Sequence, residues 1–281
     1  MTMQDSMIKI AVLDLNNGFP NQGLRCILEI LQRYQDQHQL HFKTTVFDVR
    51  QKDEVPDNSF DIYISSGGPG SPFDEEGWEW EHKYFNLINQ LYFHNTQCFA
   101  EDRKFVFFIC HSFQLACRFF KIGKVCKRKS TSFGVLPIHK IWGGLHEAIF
   151  EQLPEPFYGV DSRDYQVIQP DFDRLNTMGA TVLALEKERP HVPLERAIMA
   201  VRFSPEMIGT QFHPEADAIS MRNHLLQDIN KQRVIQEHGE EKYFDMLDKL
   251  DDPDKILFTK RVILPAFLDN ALQAKQILNL A

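Results

Sequence analysis

In the run Phe107-Phe108-Ile109-Cys110-His111-Ser112-Phe113-Gln114-Leu115-Ala116, an apolar stretch stops at a cysteine and a mostly apolar, helix-like segment begins at once. A cysteine at such a strand-to-helix junction has its sulfur lifted out at the sheet edge, where the positive N-terminal end of the helix favours a thiolate. That is a place for a nucleophile. Two further strings extend the chemistry: Ser66-Gly67-Gly68-Pro69-Gly70-Ser71-Pro72 upstream and Gly209-Thr210-Gln211-Phe212-His213-Pro214-Glu215 downstream. A strand-end loop without side chains brings backbone N–H groups close to a ligand. His213 and Glu215, two apart, share a face if the strand continues through them, with Pro214 pointing away. One imidazole nitrogen then reaches the thiol while the other donates to the Glu215 carboxylate, which fixes the tautomer and stabilises an imidazolium. The three strings thus supply a nucleophile, a backbone-amide loop, and a base with its orienting carboxylate. A nucleophile on so sharp a turn normally needs small residues two positions to either side. Here they are Phe108 and Ser112, and the bulk of Phe108 predicts either a looser turn or altered packing beside it.

The elements that must position these residues follow from periodicity. Ile8 to Leu15 reads as a buried strand, and 23–34 as a helix with Leu24, Ile27, Leu28 and Leu31 on one face. Residues 41–49 alternate, 60–65 form a short apolar strand, and 78–93 are helical. Residues 104–110 are apolar on both faces, as a central parallel strand must be, and 111–122 form the helix that follows. This predicts an α/β fold: a doubly wound, mostly parallel sheet with helices on both faces and ligands beyond the carboxyl ends of the strands. From 124 to 213 short strands follow, at 135–141, 157–160, 181–185, 197–203 and 207–212. No helix of normal length separates the later ones, so an antiparallel edge is expected. After Glu215 the pattern is helical with breaks near Gly239, Pro253 and Pro265. Domain boundaries are set at 1–225 and, for a C-terminal helical extension, 226–281. The extension carries apolar stripes at Tyr243, Phe244, Leu247 and Leu250, and at Leu264, Phe267, Leu268, Ala271, Leu272 and Leu278. These must be buried on the same subunit or in self-association, which leaves a homo-oligomer open.

With 31 basic and 39 acidic residues in 281, the formal charge of −8 gives no reason to expect a nucleic acid partner. The longest apolar runs are about half of the roughly 20 residues that cross a bilayer, so no membrane partner is expected. Five cysteines, at 26, 98, 110, 117 and 126, form an odd set without CxxC pairs, and no N-terminal segment resembles a secretory signal. Reduced thiols in a cytoplasm are the expectation. Cys117 and Cys126 lie too far from each other and from any HxxxH pair to suggest zinc, so no metal is assigned.

The three strings together resemble class I, triad-type glutamine amidotransferases, particularly free-standing domains similar to the amidotransferase half of GMP synthase. The family pattern G-x-C-x-G-x-Q is met by Cys110 and Gln114, with Phe108 and Ser112 in place of both glycines. The H-P-E string stands intact at 213–215, 103 residues after the cysteine, and 67–72 match the glycine-rich oxyanion strand in full. Residues 160–167 are similar to the S-H-x-D region, with Ser162 aligned and Arg163 in place of the usual His. The resemblance implies a Cys110–His213–Glu215 triad, an oxyanion hole from the Gly68 and His111 N–H groups, and substrate contacts from Gly67, Gln114, Ser162 and Arg163. It implies hydrolysis of the glutamine side-chain amide, through a thioester on Cys110, to glutamate and ammonia. No cofactor is implied. The chain has no GxxxxGK[ST] phosphate loop, so a synthetase or other acceptor subunit would be a separate partner. Two alternatives stay open on the same fold: a γ-glutamyl hydrolase or peptidase acting on another γ-glutamyl compound, and a non-catalytic binding protein.

Overall fold

The computed structural model describes residues 7–19, 22–189, 193–252 and 254–277. The first half winds as β1 (Ile8–Asp14), α1 (Gln22–His38), β2 (Phe42–Asp48), α2 (Val49–Lys52), β3 (Ile62–Ser65), α3 (Glu79–Gln97), β4 (Phe105–Ile109) and α4 (His111–Phe120). There follow β5 (Lys124–Lys140), α5 (Trp142–Leu145), β6 (Phe157–Ile168), α6 (Phe172–Met178), β7 (Thr181–Glu186), β8 (Ile198–Ser204) and β9 (Met207–Thr210). The described chain closes with α7 (Ala218–Leu225), α8 (Asp228–His238), α9 (Glu240–Asp251) and α10 (Ile256–Ala274). The strands lie in the order β2-β1-β3-β4-β9-β8-β7-β5-β6. From β2 to β9 neighbours are parallel, and from β9 to β6 they are antiparallel. The doubly wound, mostly parallel sheet with an antiparallel edge is the fold.

The pleat sorts each central strand between two cores. Ile8, Ile10 and Val12 of β1, with Phe105, Phe107 and Ile109 of β4, pack with Ile27, Ile30 and Leu31 of α1. Ala11 and Leu13, with Val106 and Phe108, pack with Tyr84, Leu87, Ile88 and Leu91 of α3 and with Phe113, Leu115 and Phe120 of α4. Strands covered on both faces have no polar side to show, which is why 105–109 are uniformly apolar. Val262, Ile263, Leu264, Phe267, Leu268, Ala271 and Leu272 of α10 lie in the first core, the Phe267 ring 5.2 Å from that of Phe107. The last helix is therefore a layer of the main sheet. Tyr243, Met246 and Leu250 of α9 join Leu225 and Val234 in a third cluster against Val135 of β5 and Val160 of β6. Leu278 lies outside the described residues. No helix among the described residues is long and apolar enough to cross a membrane.

Three expected strand bounds are corrected. β5 begins at Lys124 rather than 135, and β6 runs on to Ile168, so Ser162 and Arg163 sit mid-strand. Polar residues such as Lys127-Arg128-Lys129 conceal the first half of β5 because there it pairs with β6 alone, in a ribbon half open to water. β9 ends at Thr210, short of the expected Phe212, and Glu215 is reached through a turn.

Phe267→Ala is expected to lower unfolding free energy by about 3 to 5 kcal/mol, the usual cost of emptying a fully buried aromatic site, seen as a lower urea midpoint at unchanged slope.

Candidate active site

β3, β4 and β9 are neighbours and run parallel, so their carboxyl ends open on one edge of the sheet. The register places Ser65, Phe108 and Gly209 side by side, and the three motif loops leave the sheet together. Cys110 joins β4 to α4 with φ 50° and ψ −99°, a left-handed conformation costly for a residue with a Cβ. Its N–H donates to the Thr210 carbonyl at 2.8 Å, and its own carbonyl accepts the first helical bond, from Gln114 at 3.0 Å.

The residues that replace the glycines hold this turn. Ser112 Oγ accepts from the Ile109 N–H and donates to the Ser65 carbonyl, both at 2.8 Å, tying the elbow to the end of β3. Phe108 packs edge-on against Phe203, with ring centroids 5.7 Å apart. Room for it comes from Gly209 across the ladder, where a Cβ would lie 3.0 Å from that of Phe108 and 2.9 Å from the Phe113 ring. Of the two outcomes expected from Phe108, the turn stays tight and the packing beside it changes, accommodated on the neighbouring strand.

His213 Nδ1 donates to Glu215 Oε1 at 2.8 Å, although a turn rather than a continued strand brings them together. The His213 N–H donates to the Val160 carbonyl at 2.8 Å, which anchors the imidazole against β6. Burial opposes a charge on His213, but Glu215 and the Cys110 thiol beside it outweigh burial and hold the imidazole well above its usual value. Glu215 is buried, and its second oxygen has no hydrogen-bond partner among the described residues, so its charge is directed at the ring. A Cβ on Gly67 would lie 2.7 Å from His213 Cε1 and 3.5 Å from Cys110 Cβ. Nucleophile and imidazole therefore close on the same glycine, and any side chain there would displace the ring. Gly68 packs against the Leu15 carbonyl. The N–H of His111 opens α4, where first-turn donors have no intrahelical partner. The His111 ring is buried behind the turn, and burial, with Arg50 and Arg118 nearby, pushes it down to about 3, so it stays neutral.

The Ser162 carbonyl lies 3.9 Å from Cys110 Sγ. Gln114 is buried under the cleft, its Nε2 donating to Gln211 Oε1 at 3.1 Å and to the Tyr165 carbonyl at 3.3 Å. Arg163, expected to contact substrate, instead spends its guanidinium on Asp161 at 2.9 and 3.0 Å, on Glu186 at 3.3 Å and on the Tyr165 carbonyl at 3.2 Å. Alternation along β6 turns Asp161 and Arg163 to the face opposite Ser162.

Sequence reasoning missed three residues that shape the site. Gln211, within the third string, is fully buried and its Nε2 donates to Cys110 Sγ at 3.7 Å. Arg50 reaches the Pro69 carbonyl at 2.7 Å and the Leu15 carbonyl at 3.3 Å while pairing twice with Glu75 at 3.0 Å, and so pins the glycine loop. Arg118 holds the other end, through the Pro72 carbonyl and Glu81, with Phe73 under its guanidinium at 4.5 Å. Gln211 could have been read from its place in the string, whereas the two arginines are distant in sequence from what they hold. Away from the cleft, Cys26, Glu29 and Asp217 gather ligand-type atoms. Arg25 pairs with both carboxylates there, Lys260 stands 3.8 and 3.9 Å from them, and burial pushes the Cys26 thiol up to about 12. These cations make the group a salt-bridge cluster rather than a metal centre.

The family model of glutamine amidotransferase class-I matches residues 29–232. The chain belongs to that family. No curated protein matches it. Among solved structures, this amidotransferase resembles a glutamine amidotransferase from Thermotoga maritima (TM-score 0.64, 14% identity, 95% of this chain and 98% of that one). It also resembles a putative GMP synthase component from Thermoplasma acidophilum (0.54, 19%, 96% and 97%). A third likeness is to the glutaminase domain of Trypanosoma brucei CTPS with bound acivicin (0.58, 12%, 98% and 96%). At these identities the likeness is one of fold.

Because the Glu215 charge raises the proton affinity of His213, Glu215→Gln is expected to move the imidazole titration down by roughly 1 to 3 pH units. Protonated His213 would then be lost at lower pH than in the parent. The Cε1–H resonance of labelled histidine, followed against pH, reads the midpoint directly, and an unmoved midpoint would contradict the pairing.

Proposed function

We propose that the chain hydrolyses the side-chain amide of glutamine and delivers the ammonia to an acceptor enzyme or synthetase on a separate polypeptide. The observation that carries this reading is a left-handed cysteine at a helix start whose thiol stands beside an imidazole held protonated by a buried glutamate. The Cys110 sulfur, as the thiolate whose proton rests on His213, attacks the amide carbon and forms a tetrahedral oxyanion, which accepts from the Gly68 and His111 N–H groups. Losing one such donor typically costs about 2.7 to 4 kcal/mol of transition-state stabilisation. His213 passes its proton to the departing nitrogen, ammonia leaves, and a γ-glutamyl thioester remains on Cys110. A water molecule, giving a proton to His213, attacks the thioester carbonyl, and collapse frees glutamate and returns the thiol. Gly67, Gln114 and the Ser162 main chain border the substrate in this proposal, and Arg163 serves to fix β6 behind it.

Two observations bear on the alternatives. The tight turn held by Ser112 and Gly209 removes the argument that the replaced glycines disable the nucleophile. The engaged guanidinium of Arg163 removes the cation that would meet an anionic leaving group of a γ-glutamyl conjugate.

A glutamine-analogue electrophile is expected to label Cys110 stoichiometrically, ahead of Cys26, Cys98, Cys117 and Cys126, as mapped by mass spectrometry. Glutamate release from glutamine should be slow, absent in Cys110→Ala, and nearly absent in His213→Ala, since groups acting as a unit are not additive. Preferential labelling of another cysteine, or much faster turnover of a γ-glutamyl dipeptide than of glutamine, would overturn the reading.

A further inference from the structure

Beside β5 and β6, charged side chains converge on a cavity of about 180 Å³. Arg128, Lys187, Arg189, Lys242 and the consecutive hydroxyl residues Ser130, Thr131 and Ser132 line it, with Asp161 and Glu186 in its wall. Glu186 is shared by three guanidiniums: Arg128 at 3.2 Å, Arg163 at 3.3 Å, and Arg189. Asp161 is committed to Arg163 and to the Ser132 hydroxyl at 2.7 Å. Lys242 shares Asp245 with Lys249. Among the described residues Lys187 makes no ion pair, and the Nε of Arg189 is buried with no hydrogen-bond partner. Cations therefore outnumber the carboxylates that face them, and donors outnumber acceptors. The crowding has an electrostatic signature. Burial, and next the neighbouring Arg163, lower the proton affinity of Arg128, and burial followed by Lys242, Lys249 and Arg189 lower that of Lys187.

A protein does not gather so much like charge in a half-enclosed space without a counter-ion to relieve it, because each cation there loses solvation as well as repelling the next. We propose that this cavity is a binding site for a phosphate group, carried as the free anion or as a small phosphate monoester. Guanidinium forks, ammonium groups and hydroxyls are all donors, and a tetrahedral dianion offers acceptor oxygens in several directions at once. The cavity is about six times the roughly 30 Å³ a water molecule takes up in the liquid, room for a phosphate with a small substituent. The site is separate from the Cys110 centre and stands whatever that centre turns over: among the described residues that line it there is neither Cys110, His213 nor Glu215, nor Gly67 or Gln114.

The test uses the full chain and inorganic phosphate, then phenyl phosphate, at constant ionic strength with chloride as the balance. The ³¹P line of phosphate should broaden saturably, and the melting temperature should rise with phosphate but not with chloride. Lys187→Ala removes an exposed head that makes no ion pair among the described residues, so its melting temperature without phosphate should be that of the parent. Its phosphate affinity should fall about tenfold, the loss of one charge-assisted contact. The Lys187→Ala/Lys242→Ala double variant should abolish saturable broadening. Tighter binding of phenyl phosphate than of phosphate would identify a monoester as the ligand class, and the reverse order the free anion. Broadening that does not saturate, or that is unchanged in the double variant, would overturn the site.

Discussion

Cys110 occupies a backbone region that a side-chain-bearing residue enters only when its surroundings impose it, at a cost of about 1 to 3 kcal/mol. The restraint comes from three directions. The Thr210 carbonyl takes the Cys110 N–H from one neighbouring strand, the Ser65 carbonyl takes the Ser112 hydroxyl from the other, and the first bond of α4 closes the far side. Parallel pairing of β3, β4 and β9 is what puts those acceptors in reach. If any of the three strands slipped by a residue, the side chains would exchange faces, and the sulfur, the glycine loop and the imidazole would no longer meet at one edge.

Around that turn the protein uses buried charges as struts. Arg50 and Arg118 each bind a backbone carbonyl of the glycine loop and a carboxylate, so the loop is fixed by groups whose own charge is satisfied. Arg163 serves β6 in the same way. A buried arginine with one partner missing would be a liability, whereas one with its donors engaged makes the main chain beside it stiff. The main-chain groups nearest Cys110 Sγ belong to segments braced like this.

How far the site could be read in advance depended on whether a residue acts through its own neighbours in sequence. Strands 8–14 and 105–109 are legible because burial on both faces leaves runs of apolar residues, 10–13 in the first and all of the second, and Cys110 because such a run stops at it and a helix begins at once. The parallel sheet followed from the alternation of those strands with helices. Where two strands pair outside the body of the sheet, as in the first half of β5, polarity reports solvent and not structure. The same limit hid Arg163: its sequence position suggested the cleft, but its partner Glu186 lies on another strand, and nothing local announces an ion pair 23 residues away. Gly209 shows the converse, a glycine whose purpose appears only beside the Phe108 it makes room for.

The place of α10 in the first core bears on how the chain is made. Its residues 256–274 cover a core face shared by residues 8–110 and 138–212, so during synthesis every strand of that face is made before its cover is. At about 5 to 20 residues per second, the nascent chain shows an uncovered apolar surface for several seconds or more before the last helix emerges from the ribosome. A chain stalled or cleaved in that interval would present Phe105 and Phe107 to whatever chaperone or nascent neighbour is nearest. The arrival of α10 is thus also the step at which this face ceases to be an aggregation hazard.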